Sequence, residues 1–234
     1  MIIAGKGGHI GGDMSIMEIL VELYMKQMNI SPENKDLDNR DRFVLSKGHS
    51  VESYYAVLAK KGFFPMEEVI STFSQFGSKF IGHPNNKLPG IEMNSGSLGH
   101  GLPVCVGMAM AGKMDRKDYR VYVVMGDGEL AEGSVWEGAM AASHYCLDNL
   151  CAVVDRNRLQ ANGRTKERFD TGDIMAKFLS FGWHVIEING HDMREILSAL
   201  DEAETVKGVP TAIIANTVKG KGVSFAENVV GYHN

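Results

Sequence analysis

Gly126-Asp127-Gly128-Glu129 ends one apolar run of the chain, and Asp155-Arg156-Asn157 ends the next, with Asn157 standing 30 positions after Asp127. A carboxylate and an amide oxygen are hard ligands, and together they suit Mg²⁺ or Ca²⁺ held jointly with phosphate oxygens. The separation is that of one strand–helix–strand unit. Tyr119–Met125 is β-branched and aromatic, as a buried parallel strand requires. Ser134–Leu147 carries helix formers and small residues, and Leu150–Val154 reads as the second buried strand. A right-handed crossover makes two such strands parallel and near neighbours, so Asp127 and Asn157 are expected side by side at strand carboxyl ends. Open α/β sheets bind ligands at that edge. Taken alone, a Gly-Asp-Gly is also an ordinary turn, and an Asn an ordinary loop residue.

Two further sets of residues could do chemistry. Asn94-Ser95-Gly96-Ser97-Leu98-Gly99-His100-Gly101-Leu102-Pro103 is a glycine loop that opens a helix, a place where unpaired amides favour an anion. Its register is neither that of a dinucleotide fingerprint nor that of a P-loop. Histidines stand in glycine-flanked positions at Gly8-His9, Gly48-His49, Gly82-His83 and Gly99-His100, and imidazoles suit proton transfers near neutral pH. His144, His184 and His191 fall in a helix, a strand and a turn and read as structural. Lys219-Gly220-Lys221-Gly222 either places charge near a phosphate or forms a solvated loop.

The elements that must position these residues follow from periodicity. Ala4–Gly12 reads as a glycine loop, after which Asp13 caps a helix to about Met28 with Ile16, Ile19, Leu20 and Leu23 on one face. Phe43–Leu45 is a short strand, Val51–Lys60 a helix, Pro65–Phe76 a short helix and Gly77–Ser95 a loop. Pro103 suits the first turn of a helix reaching Met114. Leu159–Asp173 is a polar loop over the ligand, Ile174–Phe181 a helix and Trp183–Ile188 a strand. Asp192 caps a helix to about Val206, and Thr211–Asn216 is the last strand. Strand and helix alternate throughout, which predicts one α/β domain over residues 1–234, a doubly wound, mostly parallel sheet with helices on both faces.

With 29 acidic and 24 basic side chains the net charge is -5 and no basic block stands out, which argues against nucleic acid as the main ligand. Cys105, Cys146 and Cys151 lie in apolar stretches with no Cys-x-x-Cys pair, so reduced, buried thiols and a cytoplasmic protein are expected. The longest apolar stretch, Leu102–Gly112, is too short to cross a bilayer, no signal peptide is visible, and no membrane association is expected. Small residues of the central helix (Gly133, Gly138, Ala139, Ala141, Ala142) predict a close helix contact at an interface.

Residues 126–160, GDGELAEGSVWEGAMAASHYCLDNLCAVVDRNRLQ, resemble the thiamine diphosphate motif of the transketolase family, and the resemblance runs from about Ala4 to the end of the chain. It implies that Asp127, Asn157 and the carbonyl of Leu159 hold the metal, Mg²⁺ or Ca²⁺, on the cofactor's diphosphate. It also implies that His49, Gly96, Ser97, Leu98, Gly128, Glu129, Asn157 and His233 contact thiamine diphosphate, and that His9 and His83 contact sugar. His9, His49, His83 and His233 form the implied catalytic set, with Glu132 coupling paired active sites across a subunit interface. The implied activity is transfer of a two-carbon ketol unit from a ketose phosphate, or a related ketose, to an aldose, as in the pentose phosphate part of carbohydrate metabolism.

The resemblance covers only the diphosphate-binding domain of that family. The pyrimidine-binding and C-terminal domains are then expected on a separate C-terminal subunit, in an α₂β₂ heterotetramer, and the chain alone is expected to lack turnover. The family's leading helix has no counterpart before the first glycine loop. Ile10 replaces the family's proline after the first histidine, and Asn162 its usual aspartate, which places modified or branched sugars among the expected donors. His100 stands where the family often has glutamine. One alternative is a deoxyxylulose-phosphate synthase relative, which shares the Gly-Asp-Gly and Lys-Gly-Lys-Gly regions. Another is a non-catalytic regulatory subunit that keeps the cofactor fold. The histidine set and Glu132 with Trp136 favour transketolase.

Overall fold

The computed structural model describes residues 1–233. Among these residues ten α-helices are formed: α1 (Ile2–Gly5), α2 (Ile10–Ser15), α3 (Met17–Glu22), α4 (Val51–Lys61), α5 (Met66–Thr72), α6 (Gly101–Met114), α7 (Gly133–His144), α8 (Thr165–Arg168), α9 (Ile174–Ser180) and α10 (Met193–Thr205). The strands are β1 (Arg42–Leu45), β2 (Val121–Gly126), β3 (Leu150–Arg156), β4 (Leu159–Gln160), β5 (Gly163–Arg164), β6 (His184–Asn189) and β7 (Thr211–Asn216). Five of them make one parallel sheet in the order β1-β2-β3-β7-β6.

The pleat divides each strand between two faces. Phe43, Leu45, Tyr122, Val124, Cys151, Val153, Ile213 and Ala215 pack with α3, α4 and α10 on one side. Val44, Val121, Val123, Met125, Ala152, Val154, Ala212 and Ile214 pack with α6, α7 and α9 on the other. The order of the strands explains this division. From β1 to β2, β3 and then β6 the chain moves one way across the sheet, so right-handed crossovers leave α6, α7 and α9 on a common face. From β6 back to β7 it moves the other way, and α10 falls on the opposite face. The sheet is all parallel and covered on both sides, as the sequence pattern predicts, and Asp127 and Asn157 follow adjacent strands in register (Gly126 opposite Asp155).

Several local expectations are corrected. The first glycine stretch is a loop only over residues 6–9, because α1 and α2 take its ends. The single helix expected from Asp13 breaks at Ile16 (φ −120°) and finishes in a π-helical turn at Leu23–Gln27. The Ser15 hydroxyl bonds the Gly12 carbonyl, a local competitor for the helical ladder at the break. Asp13 lies inside α2 and caps nothing there; its Oδ1 accepts from the backbone amide of Ser53 in the first turn of α4. The polar loop after Asn157 contains the β4–β5 hairpin and the single turn α8. Gly138, Ala139 and Ala142 are buried, and a Cβ on Gly138 would stand 3.2 Å from Pro103, so the close helix contact these three make within the chain is with α6, while Gly133 is exposed and Ala141 half-buried. Cys105 and Cys151 are buried free thiols, whereas Cys146 is exposed in a turn at φ 51°.

Candidate active site

Four parallel strands end at one edge, and each delivers a polar segment there: Ser46–His49 after β1, Asp127 after β2, Asn157 after β3 and Thr217–Lys219 after β7. Between them lies a cavity of about 410 Å³, lined by Lys47, His49, Asp127, Asn157, Leu159 and Lys219 among others. That is within the usual range for a small-molecule site.

Asp127 is 3 % exposed, and its two oxygens accept from the Gly128 amide (2.9 Å) and the Arg158 amide (2.7 Å). Burial, and then the charge of Asp155, push its pKa up to about 6. Arg158 takes a left-handed φ of 64°, which turns the chain tightly after Asn157 and aims its amide at Asp127. The Asn157 side chain accepts from Leu159 N at 3.0 Å and donates to Asp155 at 2.8 Å, so its orientation is held at both ends. The Leu159 carbonyl accepts from the Lys219 ammonium at 3.2 Å. Asp127, Asn157 and Leu159 thus offer oxygens only, each Asp127 oxygen carries one amide and has lone-pair capacity left, and the Leu159 carbonyl already attracts a cation. This donor set fits a hard divalent ion such as Mg²⁺ or Ca²⁺, and does not fit a thiophilic one.

Behind this edge sits a hub that the sequence did not disclose. Asp155 is fully buried on β3 and accepts from Lys47 Nζ (2.5 Å), Ser15 (2.7 Å), Asn157 Nδ2 (2.8 Å) and the Thr217 hydroxyl. Burial alone would raise its pKa; the Lys47 charge and these hydrogen bonds outweigh that and lower it. Lys47 also donates to the Gly12 carbonyl at 3.0 Å. One ion pair therefore ties β1, β3, the segment after β7 and α2 together. The readable signal was an acid and a lysine inside or next to strand runs, where charges are almost never buried unless paired.

The glycine loop is placed against the same edge. Leu98 lines the cavity, Ser97 is exposed beside it, and Gly96 packs on His83, whose Cδ2 would be 2.8 Å from any Cβ there. Glu129 is 2 % exposed, and its carboxylate accepts from the amides of Gly99 (2.8 Å) and Gly126 (3.2 Å) and from the Ser46 hydroxyl. Its carboxylate thus clamps the loop to two strand ends, a positioning duty that sequence reasoning missed. Gly128 lies on the cavity wall, where a Cβ would press on Gln160 at 3.0 Å. Glu132 is exposed on the cavity rim at the start of α7. His100 is exposed, with its ring against the Leu98 carbonyl at 3.2 Å.

The other histidines converge. The ring of His9 is 5.3 Å from His49, 5.9 Å from His233 and 6.4 Å from His83, and His49 is 5.3 Å from His233. Burial, then Lys47, hold the His49 pKa down at about 2; burial, then Lys219, hold His233 at about 4. His9 and His83 are also lowered, burial being the main cause. Burial thus favours the neutral form of all four rings, and a neutral imidazole can both donate and accept a hydrogen bond. Lys219 is 2 % exposed and touches His233, whereas Lys221 faces Glu227 in solvent, so the two lysines of that segment divide between the two sequence readings. His191 accepts from the Val218 amide, and His184 contacts Glu202.

Residues 1–234 match the family model of the transketolase thiamine diphosphate binding domain. The chain is 47 % identical over its whole length to one of the subunits of the apulose-4-phosphate transketolase of Phocaeicola vulgatus, covering 83 % of that protein. It is 44 % identical over 97 % of its length to the 6-deoxy-6-sulfo-D-fructose transketolase subunit SqwG of a Clostridium species, covering 82 % of it. Among solved structures, transketolase from Campylobacter jejuni superposes on 99 % of the chain with a TM-score of 0.94 at 33 % identity, and there the chain spans 37 % of the longer polypeptide.

Proposed function

Because the chain belongs to the family of transketolase thiamine diphosphate binding domains, we propose that it is the diphosphate half of a two-polypeptide transketolase. The observation that carries this reading is the meeting of Asp127, Asn157, Leu159, His49 and His233 on one cavity at the sheet's carboxyl edge. Asp127, Asn157 and the Leu159 carbonyl would hold Mg²⁺, or Ca²⁺, on the cofactor's diphosphate. Gly128 and the backbone of Gly96–Leu98 would approach the cofactor closely, and Glu129 keeps that loop in place. Lys219, which lines the same cavity, would add a positive charge near the diphosphate. When bound, thiamine diphosphate supplies the nucleophilic carbon and the electron sink for the two-carbon unit.

The chain's own residues orient and move protons. His9 and His83 would hold sugar hydroxyls, and their neutral rings can take a proton at one nitrogen while donating at the other. His49 and His233, which line the metal cavity and stand beside His9, would contact both ligands. Glu132, exposed on the rim, would meet a second subunit and couple paired sites. The remaining half, a pyrimidine-binding domain with its C-terminal domain, would come from a separate subunit in an α₂β₂ assembly. Among the described residues no helix is long and apolar enough to cross a membrane, and the proposed compartment is the cytoplasm.

The donor is proposed to be a modified or branched ketose rather than an ordinary pentose phosphate. Ile10 adjoins His9, Asn162 lines the cavity, and the relatives' names carry apulose 4-phosphate and 6-deoxy-6-sulfo-D-fructose. The test is product analysis on the chain assembled with its complementing subunit, Mg²⁺ and thiamine diphosphate. Apulose 4-phosphate, 6-deoxy-6-sulfo-D-fructose, D-xylulose 5-phosphate and pyruvate are each offered with an aldose phosphate acceptor. Two-carbon transfer from a ketose is the expected result. Carbon dioxide release from pyruvate without ketol transfer would replace the reading with a synthase.

A further inference from the structure

Between α2 and α4 the fold buries two acids that the chemistry above does not use. Asp13 is 3 % exposed and Glu52 4 %. One oxygen of each is satisfied: Asp13 Oδ1 accepts from Ser53 N at 2.9 Å, and Glu52 Oε1 accepts from His9 N at 3.1 Å. The other two, Asp13 Oδ2 and Glu52 Oε2, are enclosed without a donor. Both line a groove of about 520 Å³ whose other walls include Ile2, Ile10, Met14, Met17 and Ala56, a setting of low polarity. Burial and then the charge of Glu52 push Asp13 well above the usual carboxylate range, against the smaller opposing influences of its Ser53 hydrogen bonds and, last, Lys47. Burial raises Glu52 as well, against its hydrogen bonds, one of them with Asp13.

Two ionised carboxylates cannot share such a site, and an enclosed acceptor without a donor is costly. A single proton resolves both problems. If one acid keeps its O–H and points it at the other, both orphaned oxygens are satisfied and one charge remains. The satisfied oxygen of Glu52 then has a fixed direction toward His9. The loop closes directly on it, for a Cβ at Gly8 would lie 2.1 Å from Glu52 Oε1.

We propose that Glu52, backed by a proton shared with Asp13, is a positioning residue that sets His9 against the donor sugar. The sugar side of this rests on the function proposed above; the shared proton and the anchoring of the loop do not. Neither acid touches the metal cavity, so the pair acts through the main chain of His9.

The pair makes a specific demand on amide replacements. In E52Q the new amide still accepts from His9 N and its NH₂ faces Asp13 as a donor; in D13N the roles reverse. In the double variant two NH₂ groups face each other and no acceptor remains. Each single variant is expected to melt within about 2 °C of the parent, and D13N/E52Q about 5 °C lower than the sum of the singles. An additive double would overturn the shared proton. Hydrogen exchange on the full chain reads the anchoring: the His9 amide should exchange at least about tenfold faster in E52A and keep its protection in E52Q. If the alanine variant does not fold, E52L fills the same volume and makes the same comparison. Equal protection in all variants would overturn the positioning role. In the assembled enzyme, with apulose 4-phosphate as donor, the same ranking should appear in donor KM with kcat changed less. Failure of all ketol transfer would defeat the function and leave exchange and melting to decide the pair.

Discussion

Asparagine at Asp127 should cost the assembled enzyme about 100-fold or more in affinity for the metal and thiamine diphosphate, and with it nearly all turnover. Changes to groups that only hydrogen-bond a metal's ligands already cost about 10–100-fold, and Asp127 is the only charged group of the proposed ligand set. The choice of replacement matters, because the carboxylate has a second duty. It accepts from Gly128 N and Arg158 N and so secures the left-handed turn that delivers Leu159. Alanine would orphan both amides, at roughly 1–3 kcal/mol for each unsatisfied group, and would confuse ligand loss with misfolding. Asparagine keeps the shape and one acceptor while removing the charge. Titration calorimetry with Mg²⁺ and thiamine diphosphate on the assembled enzyme, alongside denaturant melts of the chain, separates the two effects. A D127N enzyme that binds the cofactor within threefold of the parent would remove Asp127 from the metal site.

The second large effect is expected from Lys47, whose charge is spent inside the protein. Lys47→Met should destabilise the chain by about 3–5 kcal/mol, because it strands the Asp155 carboxylate in a site with no solvent. For a chain of this size that is a fall in Tm of roughly 10 °C. Asp155→Leu should be costly too, since it leaves the Lys47 charge unpaired and takes the acceptor from the Thr217 hydroxyl and the Asn157 amide, while Ser15 keeps the Gly12 carbonyl. The double K47M/D155L should cost less than the sum of the singles, because both charges leave together. Asn157 gives the pair its link to function. With Asp155 gone, the amide loses the contact that aims its oxygen, so the D155L chain should also bind the metal and cofactor more weakly. A K47M variant within about 1 kcal/mol of the parent would mean that the pair contributes little, as exposed pairs do.

The parts of the site that could be read from sequence are those governed by local period and spacing. Asp127 and Asn157 were legible because a run of β-branched residues, a helix and a second run leave few ways to arrange the chain. The final strand, Thr211–Asn216, and the Asp192 cap of α10, whose side chain accepts from Arg194 N, follow from the same local rules. Three of the converging histidines, His9, His49 and His83, were legible because glycine precedes each of them; His233 follows Tyr232 and carries no such mark, and His100, which does, stays outside the cluster.

What escaped was set by contacts far apart in the chain. Asp13 has the sequence context of a cap for its own helix, yet it accepts from the Ser53 amide, 40 positions away. Glu129 looks like part of a motif and is a clamp between Ser46, Gly99 and Gly126. Lys219 reads equally well as a solvated loop residue until the segment after β7 folds over the cavity and buries it. The small residues of α7 showed that something packs closely there, but not that α6 of the same chain does so. In each case the residue type was informative, and the identity of its neighbour was not.

The central claim is that this chain carries half of an active site: the metal, the diphosphate and part of the sugar contacts. The most direct measurement is the rate of two-carbon transfer at saturating Mg²⁺ and thiamine diphosphate, from a fixed amount of the chain titrated with its complementing subunit. No transfer is expected from either polypeptide alone, and the rate should rise to a plateau at equimolar subunits. Transfer by the chain alone, at a rate per site equal to that of the mixture, would contradict the central claim.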